Sequence, residues 1–350
     1  MKKAVVLTEG NLDKSAAKTT HGLLRHSERF DIRGIIDSKF AGKKCDEIVP
    51  HCNSIPVYPN IESFLEEDEA DYLIVGVATV GGYLPKNFKN HIKKGIKEGL
   101  NIISGLHHYL SEDEELSSIA EEYGVEIKDI RKPPPLDQLH YFKNRKEEID
   151  SITIPFLGTD SSIGKRTALI EVLEYLKSKD LNVCWVATGQ TGLLQGSKYG
   201  LPLDSIKGDF MVGELEHQIW RAWKEEKPDA ILIEGQGSTS HPAYVCGSRA
   251  ILAASQPDGV VLQHAPARKH RDYRKEEIHW PMPKIKDEIE LIKLYSGADV
   301  IGIGINPEEL TQEEKREYIE EYEEKFDVPA ADVFEEPEKI SNAIVEMINR

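Results

Sequence analysis

Residues Gly158, Thr159, Asp160, Ser161, Ser162, Ile163, Gly164, Lys165, Arg166 and Thr167 join a glycine turn to a lysine. The apolar run 152–157 precedes them. The segment TALIEVLEYLKS follows, with Leu169, Val172, Leu173 and Leu176 on one helical stripe. Strand, glycine turn, lysine and helix are the setting of a phosphate-binding P-loop. The turn points backbone N–H groups inward, the helix start adds positive potential, and Lys165 adds a full charge. A di- or triphosphate is the expected ligand. One position departs from the nucleotide-cleaving pattern, in which a Ser or Thr directly after the lysine ligates Mg²⁺. Here that position is Arg166, and the hydroxyl comes one residue later at Thr167. One helical residue turns the side chain by about 100°, so Thr167 is no simple substitute. The loop is therefore expected to grip phosphates without cleaving them.

Other candidates lie where apolar runs end, since parallel α/β sheets bind ligands beyond the C-terminal ends of their strands. ILIEGQGSTSHP delivers Glu234, Gln236, Ser238 and His241, and VLQHAPAR delivers His264 and Arg268. VATGQTGLLQG delivers Thr188, Gln190 and Thr191, and KGDFMVGELE supplies Asp209 and Glu214. Glu234 ends a buried run, where an unpaired carboxylate is costly. It can hold a metal, act as a base, or pair with a Lys or Arg. His264 is a candidate of the same kind, or a satisfied core histidine. The basic segment 267–275, ARKHRDYRK, offers a further phosphate contact or a solvated loop. In the first part, Asp37 follows a strand at the place where a dinucleotide fold puts its ribose-binding acid, but no GxGxxG accompanies it.

The elements that must position these residues read as α/β throughout. Strands are expected at 4–8, 32–36, 72–77 and 101–104, with helices at 85–98 and 112–123. The proline run 133–135 marks a linker or a domain edge. After it the strand 152–157 begins a second part, in which PDAILIEG, PDGVVLQH and GADVIGIGIN are continuous apolar runs, the mark of strands buried on both faces. The expected architecture is a Rossmann-like domain at 1–148 and a P-loop domain with a mostly parallel sheet at 149–350. A chain of 350 residues, 39% hydrophobic and 30% charged, has room for both cores. The net charge of −17 argues against nucleic acid as a partner. No apolar run approaches the roughly 20 residues of a membrane helix, and no signal peptide is evident. Four scattered cysteines, Cys45, Cys52, Cys184 and Cys246, form no CxxC pair and are expected to be reduced. A cytoplasmic homo-oligomer acting on a small molecule is expected.

GTDSSIGKRT, ATGQTGLLQG and IEGQGSTSHPAY, with the early TEGNLDKSAAKTTHGLLR and GIIDSKFAGKK, resemble a two-domain P-loop family long catalogued as of unknown function. Its characterised members are D-glutamate N-acetyltransferases. The C-terminal half also resembles dethiobiotin synthetase, whose loop begins GTDxxxGK. By that second resemblance Asp209 and Glu234 match two Mg²⁺-binding carboxylates, while Arg166 departs from the pattern. The first resemblance implies acetyl-CoA as the cofactor, held by its phosphates. It also implies a general base, for which Glu234 and His264 are candidates. Ser238 or the N–H groups of the turn 235–237 are candidate oxyanion donors. Gln190, Arg249 and Arg268 are candidates for the substrate, the arginines for its carboxylates. The alternatives are an ATP- and Mg²⁺-dependent ligase or kinase and a non-catalytic nucleotide-binding protein.

Overall fold

The computed structural model describes residues 1–272 and 278–350. Two compact units appear. The first comprises Met1–Pro134 with Gln190–Ser197, and the second Pro135–Gly189 with Lys198–Arg350.

In the first unit β1 (Lys2–Leu7), β2 (Phe30–Ile36), β3 (Val57–Tyr58), β4 (Tyr72–Val75), β5 (Asn101–Ser104) and β6 (Ile127–Asp129) form one sheet. Its order is β3-β2-β1-β4-β5-β6, with every pairing parallel. This is the strand order of dinucleotide-binding folds. Helices Phe88–Lys97 and Glu114–Tyr123 lie within the expected spans. The short strands β3 and β6 were not anticipated. The dinucleotide reading of Asp37 does not hold. Asp37 is fully buried, and its Oδ2 accepts bonds from Thr8 Oγ1 at 2.9 Å and the Leu12 amide at 3.1 Å. Oδ1 accepts from the Lys39 amide at 3.1 Å. A buried carboxylate needs such donors, and here they close the loop after β1 instead of leaving it for a ribose.

In the second unit β7 (Ile152–Gly158), β8 (Val183–Ala187), β9 (Tyr199–Gly200), β10 (Ala230–Glu234), β11 (Val260–His264), β12 (Val300–Ile305) and β13 (Ala330–Ala331) form the other sheet. The order is β13-β12-β11-β7-β10-β8-β9, again wholly parallel. Every residue of β8, β10 and β11 is buried, as continuous apolar runs require of strands covered on both faces. The helix Lys165–Ser178 buries Leu169, Val172, Leu173 and Leu176, the stripe seen in the sequence. It packs against the C-terminal helix Pro337–Ile348.

The segment after Pro134 belongs to this second unit because the helix Gly208–Glu226 satisfies its backbone. Glu214 accepts the His140 amide, and Glu216 accepts the Lys143 and Arg145 amides at 2.7 and 2.8 Å. Gly213 permits the approach, since a Cβ there would lie 2.3 Å from the His140 carbonyl oxygen. The compact units thus part between Pro134 and Pro135, ahead of the start of β7. Among the described residues no helix is long and apolar enough to cross a membrane.

Candidate functional site

β7 ends at Gly158, and the next helix starts at Lys165. Two residues between them take left-handed backbone, Ser162 at φ 53° and Gly164 at φ 93°. The second of these is why glycine stands at the helix cap. Gly158 is needed for space. A Cβ there would lie 2.7 Å from Ile163 Cδ1 and 3.0 Å from Lys165 Cδ, filling the hollow of the turn. Ile163 is fully buried and anchors the loop from below. Lys165 Nζ donates to the Asp160 carbonyl, and to the Gly237 carbonyl at 3.0 Å. The first-turn amides of the helix have no intrahelical acceptor, so they add positive potential at the ammonium. Glycine turn, ammonium and helix start form a cradle suited to a phosphate group.

Sheet order puts β11 and β10 on either side of β7, so His264 and Glu234 end the two strands flanking the loop. Glu234 Oε2 accepts the Thr188 and Gly189 amides at 3.0 and 3.1 Å. Its Oε1 accepts from Arg166 Nη1 at 3.3 Å, an ion pair in which the arginine side chain stays 22% exposed. The cation beside Glu234 is therefore the arginine that replaces the metal-binding hydroxyl. His264 is buried, with Nδ1 2.8 Å from Thr159 Oγ1. Burial pushes its pKa down to about 4, so the ring is neutral near pH 7.

A buried polar layer braces the loop. Asp160, with no exposed surface, accepts on Oδ2 from Arg268 Nη1 at 3.1 Å and the Asp272 amide at 2.7 Å. Arg268 also donates to the Ser161 and Ser162 carbonyls and to Glu308 at 2.7 Å. His241 Nδ1 accepts the Ala243 and Tyr244 amides, so its proton sits on Nε2, 3.6 Å from Asp160 Oδ1. Burial, and then Arg271, pushes His241 down to about 4. Arg271 donates to the Thr159 carbonyl at 3.3 Å, Ser238 Oγ at 2.7 Å and Ser240 Oγ at 2.8 Å. Ser240 Oγ in turn bonds Glu288, which also accepts the Thr239 and Ser240 amides, each at 3.0 Å. Burial raises the Glu288 carboxyl, against the pull of those bonds.

The loop residues, Glu234, His264, Ser238 and Arg268 thus come together. Arg268 and Ser238 face the protein: the first holds Asp160, Glu308 and the loop carbonyls, and the second takes a bond from Arg271. Thr167, partly buried, follows Arg166 in the first helical turn. Arg249 is exposed in the helix Gly247–Ser255, its guanidinium 5.1 Å from the Tyr295 ring centroid. Gln190 is buried in the segment that belongs to the first unit, where its side chain covers Gly105. Its neighbour Thr191 bonds Thr19 there at 3.0 Å. Asp209 is exposed in the first turn of the helix Gly208–Glu226. Of the basic segment 267–275, Tyr273, Arg274 and Lys275 lie outside the described residues.

The sequence reading missed Glu288, and took in Arg271 only as part of the basic segment 267–275. A signal for Glu288 existed: the helix Ile285–Ser296 buries Ile285, Glu288 and Ile292, so a carboxylate stands on an apolar stripe. The residues present do not fit Mg²⁺. Both Glu234 oxygens are engaged by donors. Among the described residues Glu234 belongs to no group of three His, Cys, Asp or Glu able to share an ion.

Comparisons with known proteins agree with this architecture. The model of the DUF1611 C-terminal P-loop domain, a domain of unknown function, matches residues 140–341. The DUF1611 N-terminal Rossmann-like domain matches residues 38–133. A D-glutamate N-acetyltransferase from a Pseudoalteromonas species is 33% identical over 268 residues, 75% of this chain and 77% of that protein. Another, from Tritonibacter scottomollicae, is 30% identical over 282 residues, 78% of this chain and 81% of its own length. A crystal structure of a DUF1611 family protein from Anabaena variabilis superposes with a TM-score of 0.90 at 27% identity, covering 99% of this chain and 100% of that one. The chain belongs to the DUF1611 family, with a Rossmann-like domain followed by a P-loop domain.

Proposed function

We propose that the protein is an acetyl-CoA-dependent N-acetyltransferase acting on D-glutamate or a related acidic amino acid. One observation carries this reading: a phosphate cradle lies between two strand ends and has a guanidinium–carboxylate pair at its cation position. Acetyl transfer needs a grip on cofactor phosphates and no cleavage of them. The relatives named D-glutamate N-acetyltransferase support the choice of reaction and amine.

In the reaction a C–N bond forms between the amine and the thioester carbonyl carbon, and the C–S bond breaks. One proton leaves nitrogen and one reaches the departing thiolate. Gly158–Lys165 and Arg166 bind and orient the phosphates. His264 is in its proton-accepting form at neutral pH. The nitrogen becomes much more acidic as it bonds the acyl carbon, so a weak base suffices at that stage. Glu234 is the second candidate base, with its charge balanced by Arg166. The backbone N–H groups of the turn 235–237 are the proposed oxyanion donors. Arg249, exposed at the start of its helix, is assigned to a substrate carboxylate; Arg268 is assigned to bracing the loop instead.

The test is product analysis. Full-length protein with acetyl-CoA and D-glutamate should yield N-acetylglutamate and free CoA by mass spectrometry. Failure of every acidic amino acid to be acetylated, with ADP formed from Mg·ATP and a carboxylate substrate, would replace this reading with a ligase.

A further inference from the structure

The fold brings with it an expectation of Mg²⁺ beside the phosphates, and the residues here disagree with it. We propose that Arg166 selects the ligand class of this loop. It occupies the cation position in place of a metal, so the site takes a metal-free diphosphate ester of the CoA type and disfavours a Mg²⁺-chelated triphosphate. This inference rests on the phosphate-binding role of the loop, not on acetyl transfer.

Three features of the chain support it. First, both oxygens of Glu234 already carry donors: Oε2 accepts the Thr188 and Gly189 amides, and Oε1, on the side open to a ligand, accepts from Arg166 Nη1 at 3.3 Å. A divalent ion would have to displace the guanidinium and then stand beside it, with like charges in a partly buried place. Second, among the described residues no group of three His, Cys, Asp or Glu able to share an ion includes Glu234. Thr167 is turned about 100° from Arg166 around the helix, and Asp209 is exposed in the first turn of another helix. Third, Arg166 remains available to a ligand. Its side chain is 22% exposed in the first helical turn, one residue after Lys165. Guanidinium has five donors in a planar fork, and the bond to Glu234 uses one.

Charge complementarity points to the same class of ligand. Lys165, the helix start and Arg166, whose charge Glu234 partly offsets, suit the two charges of a pyrophosphate diester better than the larger charge of a free triphosphate. The triphosphate carries about twice the charge of the diester and depends on a metal to offset it. Glu234 holds the guanidinium through an ion pair, so the cation is part of the folded site rather than recruited from solution.

The experiment is calorimetric titration of the full-length protein with CoA and with ATP, each in EDTA and in Mg²⁺. Wild type, R166K and R166T are compared. No acetyl group or amino acid is present, so failure of the acetyltransferase reading leaves these results unaffected. Wild type should bind CoA with the same Kd, within about threefold, in EDTA and in Mg²⁺, and should bind Mg·ATP more weakly. R166T should lose CoA affinity by roughly tenfold or more, the equivalent of one charge-assisted bond. It should also gain ATP affinity only when Mg²⁺ is added. R166K, which keeps the charge, should hold CoA within about tenfold and stay indifferent to Mg²⁺, a check should R166T fold poorly. A requirement for Mg²⁺ in CoA binding by wild type would overturn the proposal. So would CoA affinity unchanged in R166T.

Discussion

Glu288 lies outside the phosphate loop and hydrogen-bonds the turn beside it, so its removal should loosen the turn against which Lys165 rests. Its carboxylate accepts the Thr239 and Ser240 amides and the Ser240 hydroxyl, and Ser240 links it to Arg271. Glu288→Ala leaves a buried amide, that of Thr239, and a part-buried one, that of Ser240, without their acceptor, at about 1–3 kcal/mol for the first and less for the second. It also removes the carboxylate that most favours the charge of the buried Arg271, a loss bounded above by the about 3–5 kcal/mol of breaking a buried ion pair. The link runs through a hydroxyl and water can enter, so a total of about 3–5 kcal/mol is expected rather than the full sum. Urea unfolding followed by tryptophan fluorescence reads this directly, because Trp185, Trp220, Trp223 and Trp280 all lie in the second unit. The midpoint should fall with little change in slope. Glu288→Gln, which keeps the shape and one acceptor, should lose about half as much. CoA affinity should weaken too, since Gly237, in the same turn, presents the carbonyl that receives Lys165 Nζ. An unfolding midpoint for Glu288→Ala equal to that of wild type would refute the claim that this carboxylate holds the turn.

Gly164→Ala should weaken CoA binding at least tenfold with a stability loss of about 1–2 kcal/mol, because the residue sits at φ 93° where a Cβ is strained. Calorimetry paired with an unfolding curve separates the two effects. Gly235→Ala should be worse, since its Cβ would lie 2.0 Å from the Phe156 carbonyl oxygen, and soluble expression at wild-type levels would contradict that packing. His264 and His241 are both held at about 4, below the unfolded value of 6.5. The unfolded chain binds their protons first, so the stability they confer is complete above about pH 6.5 and is lost as pH falls toward about 4, by at most about 3 kcal/mol each. Urea midpoints measured between about pH 7.5 and 5 should decline, less steeply in His264→Gln; an identical decline in the variant would show that His264 is not buried neutral.

The sheet strands and the P-loop were legible because their signals are local. β10 and β11 are continuous apolar runs ending in a polar residue, and the strand–glycine–lysine–helix order is contiguous in the chain. The short strands β3, β6, β9 and β13 carry too few residues for a periodic signal and exist through pairing with longer neighbours. Site residues divided in the same way. Glu234 and His264 were found because strand ends point at the site. Glu288 was missed, and the bracing role of Arg271 within the segment 267–275 was not seen, because their partners are far apart in sequence and known only once the turn 237–241 has folded over the loop. Arg166 was noticed for the hydroxyl it replaces, but its pairing with Glu234 depends on β10 lying beside β7. Asp37 misled for the converse reason: its position fits a ribose ligand, whereas its donors come from the loop after β1.

Thiol release from acetyl-CoA by the full-length protein, with and without D-glutamate, tests the central claim most directly. Wild type should release thiol only when D-glutamate is present. Lys165→Ala should raise the KM for acetyl-CoA by about 10–100-fold, the range for loss of a charged phosphate contact. Thiol release indifferent to every acidic amino acid, or a KM for acetyl-CoA unchanged in Lys165→Ala, would contradict the account.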